Sequence, residues 1–230
     1  MSDPAAALKR QVGEEAAALV EDGMVVGLGT GSTAAFVIEA LGQRWSEGLR
    51  FVGIPTSERS AAQARSLGIH LSDFSRHAEI DLTIDGADEI ERKSLHLVKG
   101  LGGALLREKI VATASRRLVI IADDRKLVDH LGEHTPVPVE VTPFGWERTA
   151  LQLGRLDGAV SPRRDRAGTL FVSDGGNLIL DCAFGTIDDP EGLERRIREI
   201  VGVIESGLFT GMASLAIVAS ENGIVRFQPA

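Results

Sequence analysis

The sequence predicts an α/β protein built on a mostly parallel sheet with helices on its faces, together with a smaller α+β unit. Strand-like and helix-like segments alternate through the first half of the chain, which is typical of a parallel sheet. The pattern then changes to strand, helix, hairpin, helix and strand. We therefore expect a main unit at residues 1–132 and 208–230, and a small unit at residues 133–207.

Composition and charge exclude several classes of protein. Of 230 residues, 43% are hydrophobic and 25% are charged, as in a globular protein and unlike a disordered one. The net charge of −8 and the 4% aromatic content argue against nucleic acid as a partner. Since no apolar run approaches the length of a membrane span, we expect no membrane partner.

Cysteine usage and the first residues bear on the cellular compartment. Cys182 is the single cysteine, so an intramolecular disulfide is excluded, and its apolar neighbours favour a packed thiol. Residues 1–4 lack the basic and apolar regions of a signal peptide. These observations predict a protein of the reducing cytoplasm.

The elements of the main unit follow from periodicity and from turn residues. Leu8, Val12 and Ala16 recur at helical spacing, which predicts a helix over residues 4–21. Thr56 or Ser57 is expected to cap a helix that ends near residue 67. The other predicted helices are residues 34–41 and 104–114, and the predicted strands are residues 24–28, 50–55, 69–71, 80–84 and 117–122.

The small unit and the last hairpin are predicted in the same way. A strand at 135–141 is followed by a helix at 143–153, and a second helix at 190–200 begins at Asp188 or Asp189. The turn residues 174–176, with the sequence Asp-Gly-Gly, predict a hairpin. The hairpin strands predicted in the chain are 169–173 with 177–181, and 213–219 with 224–227.

A glycine-rich loop follows the first predicted strand and opens a helix. Gly27, Gly29 and Gly31 do not match the dinucleotide fingerprint, and no lysine follows as in a P-loop. Backbone N–H groups at a helix N-terminus favour a phosphate. The alternative is a tight turn capped by Ser32 or Thr33. The candidate phosphate ligands are Thr30, Gly31, Ser32 and Thr33.

A second candidate site combines carboxylates, a lysine and another glycine loop. Asp85 and Asp88 lie where the 80–84 strand ends, and Lys99 precedes the glycine loop that opens the helix of Glu108. An anion-stabilising loop beside a candidate base suits proton abstraction next to a carbonyl. The alternative is a polar turn and a surface helix with ordinary charges. The remaining candidate ligands here are Gly86, Ala87, Gly100, Leu101 and Gly102.

Two further lysines are candidate ligands, whereas the histidines are not. Lys126 follows the 117–122 strand, where α/β proteins collect ligand groups, although a solvated loop lysine fits equally well. Lys9 is a solvated charge or a phosphate contact. None of the histidines shows metal-ligand spacing, so we interpret them as structural: His70, His77, His96, His130 and His134.

Taken together in order, these motifs resemble the type A ribose-5-phosphate isomerases over nearly the whole chain. One departure is Leu101, where this family commonly has glycine. The residues that carry the resemblance are 27–34, 85–89, 99–109, 122–126, 138–141 and 174–177.

The resemblance implies interconversion of D-ribose 5-phosphate and D-ribulose 5-phosphate in the pentose phosphate pathway. It implies no metal and no organic cofactor, and a small sugar phosphate as the substrate. It also implies a Rossmann-like main domain, a ferredoxin-like lid and a homo-oligomer, either dimer or tetramer.

The resemblance also assigns roles to residues of this sequence. Glu108 is the expected base that moves a proton through an enediolate, and Lys99 with Gly100 and the following N–H groups stabilises the enediolate oxygen. Asp85 and Asp88 hold sugar hydroxyls, and Asp85 assists ring opening. The glycine-rich loop at 30–33 and Lys126 hold the rest of the ligand.

Two other functions remain open at this point. An amino-sugar phosphate isomerase would share the phosphate loop but would have different acid–base groups in its active site. A sugar-phosphate sensing domain of a transcription regulator would need a DNA-binding helix pair and a basic face, which this acidic chain does not suggest. A chelator-treated assay of ketose formation, with glucosamine 6-phosphate as the control, separates the three.

Overall fold

The structure, a computed structural model, describes residues 4–229. Residues 1–3, which belong to the segment used to judge a signal peptide, lie outside the described residues. The helices are α1 Pro4–Ala17, α2 Ala34–Ser46, α3 Glu58–Ser66, α4 Leu105–Thr113, α5 Trp146–Leu153 and α6 Pro190–Arg198. The strands are β1 Val25–Leu28, β2 Val52–Pro55, β3 Leu82–Gly86, β4 Glu89–Glu91, β5 Leu97–Val98, β6 Leu118–Asp123, β7 Leu127–Val128, β8 Val137–Val141, β9 Ala159–Pro162, β10 Leu178–Ala183, β11 Val203–Ser206, β12 Leu208–Phe209, β13 Leu215–Ser220 and β14 Gly223–Phe227.

The main sheet is doubly wound, and its strand order positions the site. Six strands lie in the order β14-β13-β6-β3-β1-β2 in the described part of the chain, and only β14 runs antiparallel to its neighbour. Counted within the sheet, the order is 2-1-3-4-5-6. The order reverses between β1 and β3, and such a switch point leaves a crevice at the carboxyl ends of the strands. The predicted α/β fold is confirmed.

Both faces of the main sheet are covered. In β6, Val119 and Ile121 face the core shared with α1 and α2. Ile120 points to the other face, where it packs with Ala112 of α4 and with Phe209. This alternation follows from the period of two along a strand, and β6 is apolar from Leu118 to Ala122 because neither face meets water there.

The small sheet has the ferredoxin-like arrangement that was predicted. Its strands are antiparallel in the order β11-β8-β10-β9, which is 4-1-3-2 within the unit, with α5 and α6 as the crossover helices. Asp189 caps α6 by accepting from the Gly192 N–H group, as expected. Cys182 of β10 is a packed thiol, and burial raises its pKa to about 12. The proposed boundaries at 132/133 and 207/208 stay a prediction.

A third sheet was not predicted. It joins β12, β5, β4 and β7, which are short and distant from one another in the sequence. Strands of two or three residues carry too little periodicity to be recognised in a sequence. This sheet adjoins the second candidate site, because β4 follows the Asp85–Asp88 turn directly and β5 ends at Val98, one residue before Lys99.

Some predicted elements differ from the structure. The segment 169–173 makes only isolated bridges at Leu170 and Val172, and β10 pairs instead with β8 and with the unpredicted β9. Phe171 packs on Gly103 of the glycine loop, so a contact with the main unit replaces regular pairing. Residues 69–71 likewise form a single bridge, between Leu71 and Gly53. Ser57 caps α3, as one of the two predicted candidates, and α1 ends at Ala17 rather than at residue 21.

Candidate active site

The two glycine loops meet at the switch point of the main sheet. The first leaves the end of β1 and opens α2, and the second opens α4 close to the end of β3. They enclose a cavity of about 400 Å³, large enough for a sugar phosphate. The predicted site residues that line it are Thr30, Gly31, Ser32, Thr33, Gly86, Ala87, Asp88, Lys99, Gly100, Gly102, Glu108 and Lys126.

Asp85 lies immediately behind the cavity wall and ties the two loops together. It is 1% exposed, and its Oδ1 accepts from the N–H groups of Thr30 at 2.9 Å and Gly86 at 2.7 Å. Its Oδ2 lies 3.0 Å from the Lys99 Nζ. A Cβ on Gly29 would lie 2.3 Å from Asp85 Oδ1, so the glycine allows this close approach. Burial raises the pKa of Asp85, and the charge of Lys99 opposes that shift.

Lys99 is a buried cation held by several oxygen atoms. It is 2% exposed, and its Nζ donates to the Gly86 carbonyl at 2.6 Å. Besides Asp85, it faces Glu108 Oε1 at 3.5 Å. Burial alone would lower the pKa of Lys99, but the two carboxylates outweigh burial and raise it. Lys99 is therefore charged at neutral pH and can stabilise an oxyanion.

Glu108 has the environment of a general base. It lies in the first turns of α4, is 5% exposed, and its Oε2 has no hydrogen-bond partner. Burial raises the pKa of Glu108 to about 8, opposed by Lys99 and reinforced by the negative charges of Asp85 and Asp88. Glu108 lines the cavity, and a buried carboxylate with one unpartnered oxygen and a pKa of about 8 is suited to take a proton from a ligand.

The second glycine loop requires a glycine at position 100. Gly100 has φ of +107°, and a Cβ there would lie 2.7 Å from the Leu105 Cβ. The Leu101 N–H group donates to Asp88 Oδ2 at 2.9 Å, and the Leu101 side chain is 40% exposed. Leu101 does not line the cavity, unlike Gly100 and Gly102. The structure therefore turns the Leu101 amide toward Asp88, where a substrate contact was expected.

The first glycine loop presents backbone to the cavity. Gly31 has φ of +123°, and no atom lies within 4 Å of a Cβ built on it. Thr33, at the N-cap of α2, makes no capping hydrogen bond, which argues against the capped-turn alternative. Ser32 Oγ accepts from the Lys9 Nζ at 2.8 Å. Lys9 therefore reaches the loop and lines the cavity with it.

The Thr30 hydroxyl is used for structure. It makes hydrogen bonds with Thr56 Oγ1 at 2.7 Å, Ser57 Oγ at 2.7 Å and Ser60 Oγ at 3.1 Å. This buried hydroxyl cluster joins the loop to the start of α3. The Thr30 hydroxyl is thus hydrogen-bonded within the protein, although the residue lines the cavity.

The end of β6 and the loop after it add charged residues to the cavity that sequence reasoning missed. Asp123 and Arg125 line the cavity with Lys126, and Arg125 Nε lies 2.8 Å from Asp123 Oδ1. The hydrogen bond from Arg125 lowers the pKa of Asp123. Both residues lie at the carboxyl end of β6, and the argument used for Lys126 applies to them equally.

The described residues offer neither a cluster of metal ligands nor a membrane-spanning helix. Among residues 4–229, no group of three or more His, Cys, Asp or Glu side chains is arranged to hold a metal ion. In the same part of the chain, no helix is long and apolar enough to cross a membrane.

Comparison with known proteins decides the family. A family model described as ribose 5-phosphate isomerase A (phosphoriboisomerase A) matches residues 52–223. The ribose-5-phosphate isomerase A of Gluconobacter oxydans is 58% identical over 222 residues, which cover 96% of each chain. The chain belongs to the ribose 5-phosphate isomerase A family.

Solved structures agree with this family assignment. Ribose 5-phosphate isomerase A from Methanocaldococcus jannaschii matches with a TM-score of 0.92 and 41% identity, covering 96% of this chain and 98% of that one. A D-ribose-5-phosphate isomerase in complex with phospho-erythronic acid matches with a TM-score of 0.95 and 35% identity. The match covers 98% of this chain and 100% of that one. The resemblance seen in the sequence motifs is confirmed, and the ribose 5-phosphate isomerase A fold extends over the whole described chain.

Proposed function

We propose that this chain is an aldose–ketose isomerase that interconverts D-ribose 5-phosphate and D-ribulose 5-phosphate. The observation that carries the proposal is the pair of Glu108 and Lys99, buried side by side on the wall of a cavity of sugar-phosphate size. The pair combines a proton acceptor with a fixed positive charge. Isomerisation of a hydroxy-aldehyde needs both.

The proton moves between two neighbouring carbons of the open-chain sugar. Ionised Glu108 takes the proton from C2 of the aldose through its free Oε2, and the electrons pass to the carbonyl oxygen at C1. Lys99 stabilises the resulting enediolate. The proton returns from Glu108 to C1 while the O2 proton passes to O1, and this exchange completes the ketose with both oxygens neutral. No electron leaves the sugar, so this route needs no redox cofactor.

The aspartates support this chemistry in different ways. Asp88 lines the cavity, where it can accept from a sugar hydroxyl. Asp85 has both oxygens engaged, by backbone N–H groups and by Lys99, and its buried position keeps Lys99 charged and oriented. A role for Asp85 in ring opening stays a prediction.

We assign the phosphate to the first glycine loop. Gly31, Ser32 and Thr33 offer backbone and hydroxyl donors, and Lys9 and Lys126 supply positive charge from two sides of the cavity. The D-ribose-5-phosphate isomerase that matches at a TM-score of 0.95 was solved with phospho-erythronic acid. Such a ligand carries a phosphate and a carboxylate, and this cavity offers cations for both.

Three further features belong to the proposal. The reaction is carried by side chains and backbone donors, so we expect neither metal nor organic cofactor. We propose that the enzyme forms a homo-oligomer, as dimer or tetramer, as the family resemblance implies, and that it works in the cytoplasm, as its cysteine usage predicts. Neither nucleic acid nor a membrane is expected as a partner, in keeping with the net charge of −8.

The test is ketose formation from ribose 5-phosphate by the wild type and by Glu108→Gln. The substitution keeps shape and hydrogen bonding but removes the base, so we expect turnover to fall at least a hundredfold, on the order of a general base's contribution. Glu221→Gln, in the exposed β13–β14 turn, is the matched control and should match the wild type. A loss below about tenfold in Glu108→Gln would contradict the assignment.

A substrate comparison separates the alternatives. Equal or faster conversion of glucosamine 6-phosphate would favour an amino-sugar phosphate isomerase. Binding of ribose 5-phosphate without any conversion would favour a sensing domain.

A further inference from the structure

One arginine of the small unit reaches the catalytic glycine loop of the main unit. Arg163 directly follows β9, and its side chain is 11% exposed. Its Nε donates to Asp181 Oδ2 at 3.0 Å, and its Nη2 pairs with Asp181 Oδ1. Its Nη1 donates to the carbonyls of Gly100 at 2.7 Å and Leu101 at 3.0 Å. Asp181 on β10 therefore fixes the guanidinium in a position where it holds two successive carbonyls.

The planarity of the peptide bond turns this contact into control of the loop's N–H groups. In a trans peptide the C=O and the following N–H point in opposite directions. The Gly100 carbonyl faces Arg163, and the Leu101 N–H of the same peptide donates to Asp88 Oδ2 at 2.9 Å. This peptide is thus held at both ends, by Arg163 outside the cavity and by Asp88 at its wall.

The next peptide is held in the same way at its carbonyl end. The Leu101 carbonyl accepts from Arg163, so the N–H of Gly102 is directed away from Arg163, and Gly102 lines the cavity. A charged donor on a peptide carbonyl also polarises that peptide and strengthens its N–H as a donor. Arg163 therefore acts on the orientation and on the donor strength of the loop.

We infer that Arg163 is a positioning residue for the isomerisation, held by Asp181, that orients the Gly102 N–H toward the enediolate oxygen. This inference rests on the proposed function. It assigns to the ferredoxin-like unit a part in catalysis, because both Arg163 and Asp181 belong to that unit.

A purely structural role for Arg163 is the alternative. The two units are joined at other points, since Lys109 of α4 contacts Glu194 and Glu205 of the small unit. Asp174 of the small unit also accepts from the Glu58 N–H group at 2.9 Å. Other contacts therefore also hold the two units together. The side chain that donates to the carbonyls of Gly100 and Leu101 is that of Arg163.

The experiment compares Arg163→Lys and Arg163→Gln with the matched variants Arg164→Lys and Arg164→Gln. Arg164 is the neighbouring arginine, and its Nη1 donates within its own segment to the Gly168 carbonyl at 2.7 Å. For each protein, kcat and KM for ribose 5-phosphate, the inhibition constant of phospho-erythronic acid and the thermal midpoint are measured.

We expect both Arg163 variants to lower kcat by about tenfold to a hundredfold, which is less than the roughly hundredfold to thousandfold cost of removing an oxyanion donor, because the donor is misdirected and not lost. Because the phosphate contacts are unchanged, KM should shift less than about threefold, as for a group that acts mainly in the transition state. Phospho-erythronic acid should bind more weakly, because its carboxylate would use the same N–H donor. The Arg164 variants should match the wild type.

The outcomes separate this inference from the proposed function. A wild-type protein that forms no ketose refutes the proposed function, and with it the inference. With an active wild type, folded Arg163 variants that keep wild-type kcat, or an equal loss in the Arg164 variants, refute the inference alone. If Arg163→Gln does not fold, Arg163→Lys decides, because it keeps the charge and the apolar stem. An unfolded Arg163→Lys would assign the residue to stability and overturn the inference.

Discussion

At the scale of single residues, the site depends on charges that are buried and mutually compensated. Lys99 lies between Asp85 and Glu108, and the Oε2 of Glu108 is left without a partner. Burying an unpaired carboxylate oxygen costs free energy that a packed apolar residue would not. The arrangement is useful to a base, because the pKa of Glu108 rises to about 8.

This pKa makes a prediction about pH. Glu108 must be ionised to accept a proton, so its active fraction increases as the pH rises through about 8. We expect kcat/KM to increase from pH 5 toward pH 8, with an acid limb far above the ordinary glutamate pKa of about 4.3. The measurement is initial rates of ketose formation at constant ionic strength. A profile already flat above pH 5.5 would show that Glu108 is not the titrating base.

Glycine and serine in the first loop should differ in their importance. In Gly31→Val, φ of +123° is unfavourable for a branched residue, and the side chain would point into open space at the cavity. We expect this variant to lose ribose 5-phosphate binding while remaining folded. Ser32→Ala removes one neutral hydroxyl and should weaken binding by only about 1 kcal/mol. Calorimetric titration and a thermal melt measure both effects, with unphosphorylated ribose as the control ligand.

If Gly31→Val bound the phosphorylated sugar like the wild type, the loop would be only a turn. The phosphate would then have to lie nearer to Lys126 or Lys9.

At the scale of elements, α4 connects the site to the small unit. Glu108 and Lys109 are adjacent on the helix and point about 100° apart, one toward the cavity and one away from it. The Lys109 Nζ donates to Glu194 Oε1 at 2.7 Å, Glu205 Oε1 at 3.0 Å and the Leu208 carbonyl at 2.6 Å. The ring of Phe209 lies 4.8 Å from this Nζ and 5.5 Å from that of Lys99.

This connection predicts a large stability effect of Lys109→Met. The variant keeps the apolar stem but leaves Glu194 and Glu205 without their buried cation. Breaking a buried ion pair by removing one partner costs about 3 to 5 kcal/mol, so the free energy of unfolding in urea should fall by about 3 kcal/mol. Lys93→Met, at an exposed turn, is the control and should change it little. An unchanged urea midpoint for Lys109→Met would contradict the role of this cluster.

At the scale of the whole molecule, an acidic protein brings several cations together at one cavity. The net charge is −8, yet Lys9, Lys99, Arg125 and Lys126 line the cavity, beside the acidic Asp88, Glu108 and Asp123. The protein thus supplies its own cations to an anionic substrate and to the developing enediolate. Because these cations can stabilise negative charge, we expect no bound divalent ion.

Chelation should therefore leave the isomerase active. We expect the same kcat and KM before and after exhaustive dialysis against EDTA, with the metal content of the sample checked by elemental analysis. Activity that disappears with the chelator and returns with Mg²⁺ or Mn²⁺ would overturn the metal-free mechanism.

The sequence by itself determined the fold class, the family and most of the cavity wall. Long elements such as β6 and α6 carry clear periodicity and end signals, so local pattern is enough to recognise them. The two glycine loops were recognisable for a related reason. Parallel strands present their carboxyl ends at one edge, so residues that follow different strands converge there.

Only the tertiary structure decided how individual groups are used. The Thr30 hydroxyl belongs to a buried hydroxyl cluster, and the Leu101 N–H group donates to Asp88. Phe171 packs against Gly103 and is not part of a regular strand. Arg163 reaches Gly100 across 63 positions of the chain. Such contacts depend on the packing of one unit against the other, and a local sequence pattern contains no information about a partner so distant in the chain.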